Sequence, residues 1–259
     1  MATGISLHIG LNAVNPAYYD GSWNGKLKNA VQDAKDMQAI ATQQGFQATV
    51  LLDNAATREA VISSITQSSQ RLHAGDMFFV SFAGHGGVLP DFSGDEADQS
   101  DETWCLYNGH LVDDELNALW NHFAIGVRIL VITDSCHSGT VSRGRQRTRT
   151  MPLAVALATY QVRRDFYLRI MQHCKNQPAP VASVRLLSAC SDQETTADGD
   201  KNGYFTSALK QVWADGTFVG DYNHFYEQIY AKLYPGQSPE HSIIGSWDET
   251  YNQQRPFML

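Results

Sequence analysis

The chain alternates short apolar runs with longer stretches whose apolar residues recur every three or four positions. "ISLHIGLNAV" (5–14) reads as a first strand, "FQATVLLD" (46–53) as a second and "DMFFVSFAG" (76–84) as a third. "GVRILVITD" (126–134) and "SVRLLSAC" (183–190) follow as a fourth and fifth, with "SIIGSW" (242–247) as a candidate sixth. "LKNAVQDAKDMQAIATQQ" (27–44) places Ala30, Val31, Ala34, Met37 and Ile40 on one helical face and is stopped by Gly45. "TREAVISSITQSSQRL" (57–72) opens on Thr57, a natural N-cap, and turns Val61, Ile65 and Leu72 inward. "DDELNALWNHF" (113–123) is a further helical pattern.

Strands alternating with helices predict an α/β architecture, a mostly parallel sheet of about six strands with helices on both faces. Continuous apolar runs such as "RILVIT" fit strands covered on both sides. Sheets of this kind bind their ligands beyond the carboxyl ends of the strands. Both "FAGHGG" and "TDSCHSG" fall there, which puts His85 and Cys136 along one edge. Two segments break the rhythm. "GVLPDFSGDEADQSDETWCLYNG" (87–109) reads as a long, acidic, irregular loop, and "TVSRGRQRTRTMP" (140–152) as a solvated run carrying Arg143, Arg145, Arg147 and Arg149.

A length of 259 residues suits one α/β domain or two small ones; a single domain over 1–259 is expected, its first half (about 1–150) holding both histidine and cysteine turns and the remainder completing the sheet. The composition, 43% hydrophobic and 18% charged, is that of an ordinary globular protein. A net charge of −8 with no basic stripe argues against a nucleic-acid surface and favours a cationic partner. Cys105, Cys136, Cys174 and Cys190 lie far apart without a C-x-x-C pair. That spacing argues against a zinc site or disulfide framework and for a reducing compartment. The N-terminus lacks the features of a signal peptide, and no apolar run nears the about 20 residues of a membrane span. A cytoplasmic protein with no membrane association is expected.

A cysteine nucleophile needs a group that takes its proton and later protonates a leaving amine, and an imidazole does both. His85, between Gly84, Gly86 and Gly87, leaves room for a substrate backbone to approach. The "SCHSG" turn is expected to expose Cys136. Backbone N–H groups of Cys136, Ser138 or Gly139, and of Gly86 across the gap, are candidates for an oxyanion hole. His137 is a competing base, but its adjacency to the thiol turns it away, which favours His85. Taken singly, Cys136 reads more readily as a small buried hydrophobe and His85 as a loop histidine. Their placement on neighbouring strand ends is what singles out the pair.

"FVSFAGHGG" and "VITDSCHSG" resemble the His and Cys boxes of the caspase-like cysteine peptidases, and D-S-C-H-S-G looks like the metacaspase branch with its prokaryotic orthocaspases. "LKNAVQDAKDM", the acidic "GDEADQSDE" and "LVDDEL", and "LLSACSDQETTADGDKNGYFTSAL" extend the likeness over roughly residues 5–215. The resemblance implies a caspase-hemoglobinase fold and a Cys136–His85 dyad working through an acyl-enzyme. It also implies a specificity pocket lined by Asp134 and Asp33, whose paired carboxylates would take a substrate Arg or Lys. In such a peptidase Arg143, Arg145, Arg147 and Arg149 become candidate self-cleavage sites. Calcium in the resembling family is held by carboxylates, here matched by Asp101, Asp113 and Asp114. Arg143 occupies the fourth position, so calcium independence and no required cofactor are expected. Ala83 replaces a serine, and Asn29 and Ala30 replace a Gly-Cys pair, relative to the family pattern. Protein or peptide substrates and a monomer are implied. A catalytically silent caspase-like scaffold, and a cysteine hydrolase or acyltransferase of another kind, are the alternative readings.

Overall fold

Successive residues of one strand point into different apolar layers. In β3 (Met77–Ala83), Phe78, Val80 and Phe82 belong to one buried cluster, while Met77 and Phe79 belong to another. The same split recurs in β7 (Arg128–Asp134), where Ile129 and Val131 face one way and Leu130 and Ile132 the other. A strand apolar on both faces must be covered on both, and helices do this. The computed structural model describes residues 2–90, 100–136, 149–175, 177–189, 201–233 and 239–259.

The chain begins with β1 (Gly4–Gly10), α1 (Ala30–Gln43), β2 (Gln47–Leu52) and α2 (Arg58–Arg71), then enters β3. Three short strands follow, β4 (Gly86–Pro90), β5 (Ser100–Leu106) and β6 (Gly109–Val112), before α3 (Asp113–Trp120) and β7. The second half runs α4 (Leu153–Cys174), β8 (Ser183–Ser188), α5 (Tyr204–Trp213), α6 (Tyr222–Tyr230), β9 (Glu240–Gly245) and α7 (Glu249–Gln253). The main sheet has six strands in the order β2-β1-β3-β7-β8-β9, parallel except for β9. Val61, Ile65 and Leu72 from the α2 region and Leu116, Leu119 and Trp120 of α3 pack into one face. Met37 and Ile40 of α1, Phe205, Leu209 and Trp213 of α5, and Phe225 and Ile229 of α6 fill the other. The start of α2 obeys local chemistry: the Thr57 hydroxyl accepts the Ala60 N–H.

Two expectations fail. The stretch 87–109 is not an irregular loop throughout, since β4, β5 and β6 form a three-stranded antiparallel sheet beside the main one. Its acidic part, residues 91–99, lies outside the described residues. The strand signal was missed because the apolar residues Trp104, Cys105 and Leu106 are contiguous and flanked by acidic ones, so no period-two alternation shows. The arginine-rich stretch is not wholly solvated either, because Arg149 is completely buried. Arg143, Arg145 and Arg147 lie outside the described residues.

Candidate active site

The β3–β7 register determines where the two turns meet. Ala83 pairs with Asp134 at the last step of the ladder, so His85 and Cys136 each lie two residues beyond the same rung of adjacent parallel strands. The Cys105 N–H donates to the His85 carbonyl at 2.9 Å, tying that turn to β5. On the ring, Nε2 lies 3.1 Å from the Gly25 carbonyl oxygen. A carbonyl only accepts, so Nε2 carries the proton and Nδ1 is left as the basic nitrogen. Trp23 meets the imidazole edge-on at 5.0 Å. Gly25 has φ +53°, a left-handed turn that brings its carbonyl under the ring. Sequence reasoning missed Gly25; the Asn-Gly pair at 24–25 marks a turn, but nothing local says what the turn touches.

A slot beside this pair is built from three elements that are distant in sequence. Asp134 ends β7, Asp33 lies in the first turns of α1, and Gly203 and Thr206 open α5. The first N–H groups of a helix have no intrahelical partner, and α5 spends them on the two carboxylates. The Thr206 N–H donates to Asp134 Oδ2 at 2.9 Å and its hydroxyl at 2.7 Å, while the Gly203 N–H reaches Asp33 Oδ1 at 3.1 Å. The Asn202 amide adds a donor to Asp33 Oδ1 at 2.8 Å. Asn202, Gly203 and Thr206 were not anticipated as part of the site. A Cβ on Gly203 would collide with the Asp134 carboxylate and sit 2.7 Å from the cation described next.

The slot is filled by the chain itself. The Arg149 guanidinium lies 2.5 Å from Asp33 Oδ2 and 3.2 Å from Asp134 Oδ1, and also donates to the Asp134 carbonyl at 2.9 Å. All three side chains are at most 2% exposed. The Arg149 carbonyl accepts from the N–H of Gly86 at 3.0 Å and of Cys136 at 3.2 Å. One residue thus presents a cation to two carboxylates and its carbonyl oxygen to two converging backbone donors. Such a pair of donors can hold charge developing on a carbonyl oxygen.

Cys136 is not exposed as expected; it is fully buried, with Arg149 crossing in front of its backbone N–H. It is also disulfide-bonded. That corrects the inference drawn from cysteine spacing, which has no means of reporting a contact between distant residues. A disulfide sulfur is no nucleophile, so chemistry at Cys136 requires prior reduction. Among the described residues the two donors to this carbonyl are the N–H groups of Gly86 and Cys136; His137, Ser138 and Gly139 fall outside the described residues.

A second cysteine–histidine pair is nearby and has the opposite character. Cys105 Sγ lies 3.8 Å from His110 Nδ1, and both residues are wholly buried. Burial pushes the Cys105 thiol far up and lowers the His110 imidazole to about 3, so both stay neutral. Asp101 lies in β5, while Asp113 and Asp114 open α3. Among the described residues no group of three His, Cys, Asp or Glu is arranged to hold a metal ion.

Burial pushes the Asp33 carboxyl up to about 6, Arg149 pulling against it and Asp134 adding to it. Without a cation in the slot the value rises further. A cation binds the ionised form, so the slot should hold a guanidinium less tightly as pH falls from neutral toward about 6, the loss levelling off below. The pH dependence of guanidinium-ligand binding to the Arg149→Ala protein checks this, and Asp33→Asn should flatten the profile.

A parallel sheet carrying Cys and His on adjacent strand ends beside an acid-lined slot defines the class of caspase-like proteins. The caspase domain model matches residues 9–256, and the chain belongs to that family. It is 32% identical to metacaspase-1 of Cryptococcus neoformans over 88% of this chain and 57% of that one. Metacaspase-1 of Schizosaccharomyces pombe is 25% identical over 81% of this chain and 59% of its own. The chain therefore spans less than two thirds of the length of these relatives. The crystal structure of protein GSU0716 from Geobacter sulfurreducens matches with a TM-score of 0.92 at 45% identity, over 99% of both chains. Caspase-1 from Spodoptera frugiperda shares the fold, with a TM-score of 0.59 at 13% identity over 93% of this chain and 86% of that one. No helix among the described residues is long and apolar enough to cross a membrane.

Proposed function

We propose that this protein is a cysteine endopeptidase that cuts after arginine or lysine and processes itself between Arg149 and Thr150. One observation carries the reading: Arg149 lies with its guanidinium between Asp33 and Asp134 and its carbonyl oxygen on the N–H groups of Gly86 and Cys136. That is the posture of a residue whose following peptide bond is about to be attacked.

After two-electron reduction by a thiol, the Cys136 thiolate attacks the carbonyl carbon, and the negative oxygen is held by the two N–H groups. His85, having taken the thiol proton, delivers it to the departing amide nitrogen, leaving a thioester. Water, deprotonated by His85, hydrolyses the thioester and restores the thiol. The chemistry uses no cofactor, and Arg143 at the fourth acidic position argues against calcium. Substrates are proteins or peptides offering a basic side chain, acted on by a monomer in a single domain. The silent-scaffold reading has no comparable support, since both reacting residues are present.

Intact-mass spectrometry tests the reading. In thiol reductant the chain should yield one fragment ending at Arg149 and another beginning at Thr150, and without reductant it should persist. Arg149→Ala should block that cut. A reduced chain that stays whole, or that is cut after acidic or apolar residues, contradicts the proposal.

A further inference from the structure

The chain beyond Arg149 is held as firmly as Arg149 itself. Gly86 gives its N–H to the Arg149 carbonyl, and its own carbonyl accepts the Met151 N–H at 2.7 Å. Thr150 bridges Gly86 in parallel fashion, so residues 149–151 run along the start of β4 as an added strand would. Thr150 remains half-exposed, whereas Met151 is 1% exposed and belongs to the same apolar cluster as Trp104, Cys105 and Leu106. Its Sδ lies 3.8 Å from Cys105 Sγ. The small sheet thus holds a thioether two residues past the bond proposed to be cut.

The floor of this pocket uses the buried Cys105–His110 pair, for which the proposed reaction has no role. Thr103 Oγ1 lies 2.7 Å from His110 Nδ1, and Cys105 is packed against the same ring. A side chain on Gly87 would press to within 3.1–3.2 Å of His110, Thr103 and Cys105, so a bare backbone at 87 lets the three sit beneath β4. The thiol stays protonated there, a soft, polarisable surface suited to a flexible apolar side chain.

We infer that this pocket is a substrate subsite, selecting an apolar, unbranched residue of methionine size at the second position after the scissile bond. This rests on the arginine/lysine endopeptidase reading and deepens it, because Met151 then marks what a substrate in trans must present. Backbone pairing with Gly86 supplies registration regardless of sequence, and the pocket supplies choice.

Internally quenched peptides with Arg before the bond and Thr after it, followed by Met, Leu, Ala or Asp, test the inference on the reduced, full chain. A coumarinyl amide ending in Arg, which has no residues beyond the bond, accompanies them. From Met to Ala, kcat/KM should fall about tenfold, in line with losing a buried apolar side chain. From Met to Asp it should fall about a hundredfold or more, because an unpaired carboxylate would be buried. Equal kcat/KM across the series overturns the subsite. Cleavage of the coumarinyl amide but of none of the peptides also overturns it, since the enzyme's own Thr150–Met151 then keeps the pocket closed after processing. If the coumarinyl amide too is untouched, the endopeptidase reading itself fails, and the subsite falls with it.

Discussion

Cys136→Ala should lower turnover of arginine peptides by about a hundred-thousandfold or more, the scale of removing a nucleophile from a catalytic pair. The change is unusually clean here. One of the two donors to the Arg149 carbonyl is the backbone N–H of residue 136, which alanine retains. Arg149 keeps both carboxylates and both N–H donors, so the loss isolates the sulfur. The variant should remain one uncut chain in reductant, seen by intact mass, and steady-state hydrolysis of the Arg coumarinyl amide gives the rate. Turnover equal to the parent's would mean that another group performs the attack.

Asp134→Asn should reduce kcat/KM for arginine peptides by about a hundred- to a thousandfold, since neutralising one partner of a buried, hydrogen-bonded ion pair costs several kcal/mol. The amide is nearly isosteric, but it replaces one charge facing the guanidinium and half of the acceptor set that the head of α5 relies on. Asp134 Oδ2 takes both the N–H and the hydroxyl of Thr206, so the substitution should also loosen that helix start. The readout that separates charge from structure is the P1 residue. Loss confined to arginine and lysine substrates marks the charge, whereas equal loss on a citrulline analogue, which keeps the shape of arginine without its charge, marks structure. An unchanged arginine preference would remove Asp134 from the slot.

The parts of the fold that were legible in the sequence are those with a short period. β1, β3, β7 and β8 were evident as apolar runs, and α1 and α2 as amphipathic stretches, one stopped by Gly45 and the other opened by the Thr57 cap. His85 and Cys136 could be placed together because parallel strands of one sheet end at one edge. The acidic pair was legible only through resemblance, because Asp33 looks like any helix carboxylate until α5 is packed against it. For Gly25, Asn202, Gly203 and Thr206 no local signal said what they touch. Each makes its contacts in the site across separations of 60 to 170 residues.

By itself, then, the sequence determined the layered sheet, the helices on its two faces, and a thiol and an imidazole at one strand edge, because alternation every two or every 3.6 residues is written locally. Only the tertiary structure decided that Arg149 leaves solvent for a slot between two aspartates, that Cys136 is buried and oxidised, and that Met151 is sunk against Cys105. Those outcomes depend on which distant groups meet. A desolvated guanidinium is stable only where two carboxylates and the open end of a helix have already converged.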